Sequence, residues 1–350
     1  MTTSYYRRIK KENKYDQIEL TNFFSLLNET KIKTMAESLN IYLSKNLSET
    51  ILKKGGLKDY KTNPYVLITS ASSVKWADIR DFAKFLFNSK LYAGLETSFG
   101  KQVETQIIPY YPTQDNNWSL PTEKIAEAKQ LEGLGLEQKA GIRAESIWRE
   151  IDASPYINKK RYLVSIKSGP NCINDTQVSD MYKAIETHYN DWYNESIKQY
   201  NDLEELNIVI GLTYGTEKTT NNKENQILVK LLNTHFKDTG DENGTIMAKD
   251  NHKIRVYRLI GTDFWSFIGN PEDPASNPHI FLEVLIALLY SFKKGRLATL
   301  ESLVNEKIIE LSTAIKEISI PPESLPLWIK REFTSDELLW LISAITSYYD

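Results

Sequence analysis

The sequence predicts an α/β protein, with a small central mixed β-sheet flanked by helices and helical additions at both ends. Three observations predict it. Leu206 to Tyr214 is a continuous β-rich run of the kind found in a strand buried on both faces. Lys253 to Ile260 alternates apolar and polar residues. Ile151 to Lys167 reads as a β-hairpin, and helical periodicity precedes and separates these strands.

At 350 residues the chain can bury a sizeable core, as one large domain or two modest ones. A net charge of −3 excludes a strong overall basic field, so any nucleic-acid affinity has to come from a local basic surface. A single cysteine, Cys172, excludes an internal disulfide and a multi-cysteine zinc site. It reads as a small semi-buried residue and fits a reducing compartment. The opening MTTSYYRRIKKENK has no apolar signal region. The apolar run His279 to Phe292 is broken by Glu283 and too short to span a bilayer. A soluble, cytoplasmic protein with no membrane partner is expected.

Taken in order, Tyr15 to about Lys54 shows helical spacing through Ile18, Phe23, Leu27, Ile32, Met35, Leu39 and Leu43, ended by Gly55-Gly56. Asn63-Pro64-Tyr65 opens a short extended segment. A helix follows, with Val74, Trp76, Ile79, Phe82 and Leu86 on its buried side. Beyond Tyr92-Ala93-Gly94, Leu95 to Glu104 is a second helix on which Glu96, Gly100 and Glu104 lie four apart. Glycine there permits close approach of a backbone or ligand, although spacing alone makes the two acids a solvated face. Thr105 to Trp118 is partly extended, and Pro121 to Leu136 is a charged helix with little apolar stripe. Ser146 to Asp152 begins the hairpin, and Asp175 to Leu203 is a long helix carrying Val178, Met181, Ile185, Tyr189 and Trp192.

Later, Gln226 to Phe236 is a short helix, and Asp238 to Gly244 is an acidic surface loop without the ligand spacing of a calcium loop. Thr262 to Gly269 is a compact helix with an N-cap signal and a glycine stop. The chain from Pro278 onward is mostly helical, interrupted at Pro321-Pro322. Strands are thus expected near 146–157, 161–167, 206–213 and 253–260. The four histidines, His188, His235, His252 and His279, form no metal-binding pair.

The hairpin carries the chemistry. Asn158 to Arg161 is a polar turn-forming stretch, and placing it at the tip sets Asp152 opposite Lys167, Ser154 opposite Ser165 and Tyr156 opposite Leu163. One face is then mostly polar and the other apolar. A rival register pairing Glu145 with Lys167 needs a loop from Asp152 to Lys160, long for a hairpin. An Asp facing a Lys, with a second acid from a neighbouring helix, is the minimal set for metal-dependent phosphodiester hydrolysis. The carboxylates hold a hard cation and the ammonium positions water or phosphate. On bare spacing, a surface Asp–Lys pair explains the same residues.

Ile166-Lys167-Ser168-Gly169-Pro170-Asn171 resembles the lysine motif of the PD-(D/E)xK nucleases. It is similar in particular to type II restriction endonucleases whose motif reads Ile-Lys-Ser/Ala-Gly-Pro-Asn. Asn63-Pro64-Tyr65, Glu96-Thr97 with Phe99-Gly100, Glu150-Ile151-Asp152, Tyr214-Gly215 and the Gly261 to Gly269 segment agree in order. The resemblance divides the chain into a helical region 1–62, a nuclease core 63–285 and a helical region 286–350. It implies Mg²⁺-dependent cleavage of double-stranded DNA leaving 5′-phosphates, by a homodimer on a palindromic site, with no organic cofactor. Asp152 becomes the first metal ligand and Lys167 the water-orienting residue. Ser165 stands where the pattern has an acid, so the second carboxylate must come from elsewhere. Glu104 is the first choice, followed by Glu96, Asp180 and Glu150. Asn171, Asn174 and Gln177, at the start of a helix, are candidate DNA contacts. Two other functions fit these residues: a repair or junction nuclease on the same core, and a non-catalytic DNA-binding protein with a degenerate site.

Overall fold

In the computed structural model, the residues described are 17–53, 60, 63–74, 78–111, 118, 120–169, 173, 175–216, 223–241, 244–293, 295–317 and 325–345. Six strands make one mixed sheet: β1 (Tyr156–Ile157), β2 (Lys160–Lys167), β3 (Glu205–Leu212), β4 (Phe236–Asp238), β5 (Ile246–Ala248) and β6 (Ile254–Ile260), in the order β1-β2-β3-β6-β5-β4. The centre, β2-β3-β6, is parallel, while β1 and β5 pair antiparallel with their neighbours. Parallel strands need crossovers, and the helices Asp175–Gln199 and Lys223–Leu232 provide them.

Both faces of the centre are covered, which is why β3 reads as an unbroken apolar run. Leu163, Ile208, Ile210 and Val256 meet Met181, Ile185 and Trp192 of the first crossover helix and Ile227 and Leu231 of the second in one core. The first crossover helix buries Val178, Met181, Ile185, Tyr189, Trp192 and Ser196, steps of three and four that form one stripe. On the sheet's other face, Tyr162 and Trp118 pack edge-on against Phe267. Phe264 fills the space beside Gly211, where an added Cβ would lie 2.4 Å from its ring.

The chain divides into two compact units, Met1–Met35 with Phe99–Leu288, and Ala36–Ser98 with Leu289–Asp350. The first contains the entire sheet. In the second, the helices Pro64–Val74 and Ser335–Ile345 pack together. Among the described residues no helix is long and apolar enough to cross a membrane.

Several local expectations are corrected. The hairpin turns on two residues, not four: Asn158 and Lys159 have φ of 48° and 64°, the left-handed pair of a type I′ turn. The register is therefore Tyr156 with Arg161, Ile157 with Lys160 and Ala153 with Val164. Asp152 comes level with Ser165 and Ile166, not Lys167. A shift of two residues leaves the strand side chains on their expected faces, but the supposed polar face is largely buried, with Ser154 and Ser165 at 6% and 0% exposure. The stretch before the hairpin is turn rather than strand, because Arg149 N–H donates to Ser146 O and Ile151 N–H to Trp148 O. Asn63-Pro64-Tyr65 starts a helix, with Asn63 Oδ1 accepting from the N–H of Tyr65 and Val66. Ile79–Gln102 is one helix across Gly94, followed by a π-helical turn at Val103–Ile107 where an extended chain was expected. The charged helix ends at Gln130 and a separate helix, Leu136–Glu145, follows. Strands β4 and β5, three residues each, were too short to carry a pattern; the acidic loop joins them.

Candidate active site

Asp152 follows the turn that precedes the hairpin, and β2 fixes it. Its carboxylate Oδ2 accepts the Ile166 N–H at 2.7 Å, and its own N–H donates to Val164 O at 2.8 Å. Burial pushes the carboxyl above its ordinary pKa, against the pull of Lys167, of the Ile166 N–H and of Lys124. Lys167 ends β2, and its ammonium lies 3.5 Å from Glu150 Oε2, both side chains being largely buried. Glu150 also meets Arg149 Nε at 3.5 Å. The lysine is therefore held by Glu150, whereas the sequence set Asp152 across from it.

Glu104 sits in the π-helical turn Val103–Ile107. That turn is wider than the α-helical repeat assumed from the spacing. Its carboxyl is pushed up to about 7, first by burial, then by the charge of Asp152, with Lys124, Lys167 and Lys101 pulling the other way. A solvated helix face does not produce that environment. The end of the preceding helix approaches the residue that follows β2, since a Cβ on Gly100 would rest 3.8 Å from Ser168 Cβ. That is ordinary van der Waals contact, so the approach does not require glycine.

The remaining predicted residues divide. Ser165 is fully buried, and its Oγ has no hydrogen-bond partner among the described residues. Gln177 and Asp180 are half-buried on the helix Asp175–Gln199. Glu96 is half-buried on the helix Ile79–Gln102, among residues grouped with the second unit. Asn171, Asn174 and Cys172 lie outside the described residues.

Sequence reasoning missed Lys124. Its Nζ donates to the carbonyls of Arg149 at 3.0 Å and Ile151 at 2.6 Å. Burial pushes the ammonium down, while Asp152, Glu104 and Glu150 push it back up. Its neighbour Glu123 forms a two-pronged pair with Arg161, at 3.0 and 2.9 Å. The one available signal was a helix with charges where an apolar stripe belongs; here those charges turn inward.

The arrangement is two half-buried carboxylates near two lysines. Among the described residues no group of three or more His, Cys, Asp or Glu side chains could hold a metal. Asp152 and Glu104 are the residues that could contribute to holding a small hard cation, which takes one or two carboxylates and completes its shell with water and phosphate oxygen.

Residues 131–296 match a family model described as type II restriction endonuclease EcoO109I. That stretch, just under half of the chain, is similar to this family. No curated protein matches the chain. The matched residues include the whole sheet with Glu150, Asp152, Ser165 and Lys167. Glu104, Glu123 and Lys124 precede the matched residues and join the site only through the fold.

Proposed function

We propose that the chain is a Mg²⁺-dependent type II restriction endonuclease of the PD-(D/E)xK kind, cutting double-stranded DNA to leave 5′-phosphates. The observation that carries this reading is the carboxylate pair Asp152 and Glu104, whose burial and like charge raise Glu104 to about 7 beside the strand that bears Lys167. A cation bound between the two carboxylates would offset both charges. Asp152 and Glu104 would hold Mg²⁺, which when bound supplies positive charge to the phosphate oxygens and promotes ionisation of water.

The chain's own contributions follow from its contacts. The Ile166 N–H fixes Asp152. Glu150 steadies Lys167, leaving the other ammonium protons to orient water or the scissile phosphate. Ser165 takes no part as a ligand, because its buried hydroxyl is a poor substitute for a carboxylate. A two-fold homodimer on a palindromic site accounts for cutting both strands with one centre each. Gln177, with Asn171 and Asn174, is retained as a DNA contact.

The test is digestion of plasmid and phage DNA by purified protein with Mg²⁺ or Mn²⁺. Discrete fragments are expected, abolished in Asp152→Ala and Lys167→Ala with DNA binding retained. Intact DNA throughout, with DNA binding kept and no metal binding, would favour the non-catalytic reading that Ser165 suggests. Cutting confined to flaps or junctions would favour the repair nuclease.

A further inference from the structure

Lys124 is bound from two sides. Toward the site, its ammonium spends two of three N–H donors on the carbonyls of Arg149 and Ile151, the backbone that carries Glu150 and Asp152. Behind it, Glu123 is fixed to Arg161, which is 1% exposed and also donates to Ser154 Oγ at 2.8 Å and Ser196 Oγ at 2.9 Å. The guanidinium stands 5.3 Å from the Trp148 ring and 5.5 Å from that of Tyr200. Arg161 lies on β2, the strand that ends at Lys167. One rigid strand therefore carries Lys167 and also anchors the helix that delivers a second lysine.

That second charge does not serve as a surface ion pair. Among the cations acting on Glu104, Lys124 exerts the largest pull, ahead of Lys167. It also acts on Asp152. An ammonium bonded to the carbonyl of Ile151, the residue before Asp152, offsets part of the charge on both carboxylates and opposes a divalent cation approaching them.

We propose that Lys124 is a built-in cation of the carboxylate site that competes with the divalent metal for Asp152 and Glu104, keeping metal affinity low in the absence of DNA. Phosphate oxygens arriving with DNA would supply the extra negative charge that tips the balance toward the metal. Lys124 is thus a positioning residue acting through the carboxylates. The inference rests on the metal-site reading given under Proposed function.

The experiment is Mn²⁺ binding to the full chain without DNA, followed by electron paramagnetic resonance or calorimetry, for wild type, Lys124→Gln, Lys124→Arg and Asp152→Asn. Glutamine keeps an N–H donor for the two carbonyls but removes the charge. Lys124→Gln should bind Mn²⁺ tighter, by about three- to tenfold for one charge at site distances in a partly screened interior, and Lys124→Arg should match wild type. If lysine were only a backbone clamp, Lys124→Gln would bind Mn²⁺ equally or more weakly, and either result overturns the proposal. Where Lys124→Gln fails to fold, Lys124→Arg decides: affinity well below wild type with the charge retained counts against it. Binding that survives Asp152→Asn would instead overturn the metal-site reading itself.

Discussion

The Asp152 carboxylate raises the proton affinity of Glu104, adding to the larger effect of burial and carrying Glu104 to about 7. The two acids come from separate elements, Asp152 from the end of the turn before the hairpin and Glu104 from a π-helical turn. A raised folded-state pKa means that the folded protein binds this proton more tightly than the unfolded chain. Stability from this group is complete below about 4.5 and lost as pH rises toward 7. In metal-free buffer Glu104→Gln should match wild type near pH 5 and exceed it at pH 8. The gap should be roughly 1–2 kcal/mol, the full shift reduced by about half for partial exposure. Urea unfolding at the two pH values measures it, and a gap that is constant with pH would count against the coupling.

The fold class was legible because β3 and β6 and the crossover helix Asp175–Gln199 carry strong patterns. The register was not, because a type I′ turn is signalled by Asn-Gly, and here Asn158 is followed by Lys159 at φ 64°. Asp152 could be read as a candidate from its motif neighbours and Glu104 from its helix, yet the partner of Lys167 could not. Glu150 reaches that lysine only because the segment before the hairpin turns instead of extending. Lys124 was invisible for a simpler reason: its bonds to Arg149 and Ile151 cross 25 and 27 residues, with no motif to mark them.

Lys159 is strained at its turn position, since a side chain in the left-handed region costs energy that glycine avoids. Lys159→Gly completes the preferred Asn-Gly turn and loses only an exposed ion pair with Glu204 at 2.6 Å. The urea midpoint should rise with no change in the denaturant slope. A lower midpoint would mean that the ion pair outweighs the backbone strain.

Arg161 is the most consequential buried cation in the first unit. Arg161→Met leaves Glu123 unpaired and two serine hydroxyls without their donor. Breaking a buried pair from one side costs about 3–5 kcal/mol; the lower end applies because Glu123 is 22% exposed. Combining it with Glu123→Gln should recover part of the loss in a double-mutant cycle. Strict additivity of the two losses would deny the coupling.

Gly211→Ala should destabilise by about 1–3 kcal/mol through overpacking. The new methyl would meet the ring of Phe264, which is completely buried and has nowhere to move. Phe264→Leu in the same chain should restore part of the stability. A neutral Gly211→Ala in thermal unfolding would show that the helix Thr262–Gly269 can shift away from the sheet.

Glu150 offers the sharpest separation of positioning from metal binding. Its Oε2 is 3.5 Å from Lys167 Nζ, and Asp152 keeps its own bond to the Ile166 N–H without it. Glu150→Gln removes the charge that steadies the lysine and leaves both proposed ligands in place. Turnover on plasmid DNA should fall by about ten- to a hundredfold, as expected when a catalytic group loses its alignment. Mn²⁺ affinity, measured on the same preparation, should stay within about threefold of wild type, a change worth under 1 kcal/mol. A parallel loss of metal affinity would make Glu150 a third ligand, and unchanged turnover would mean that Lys167 is held by other contacts.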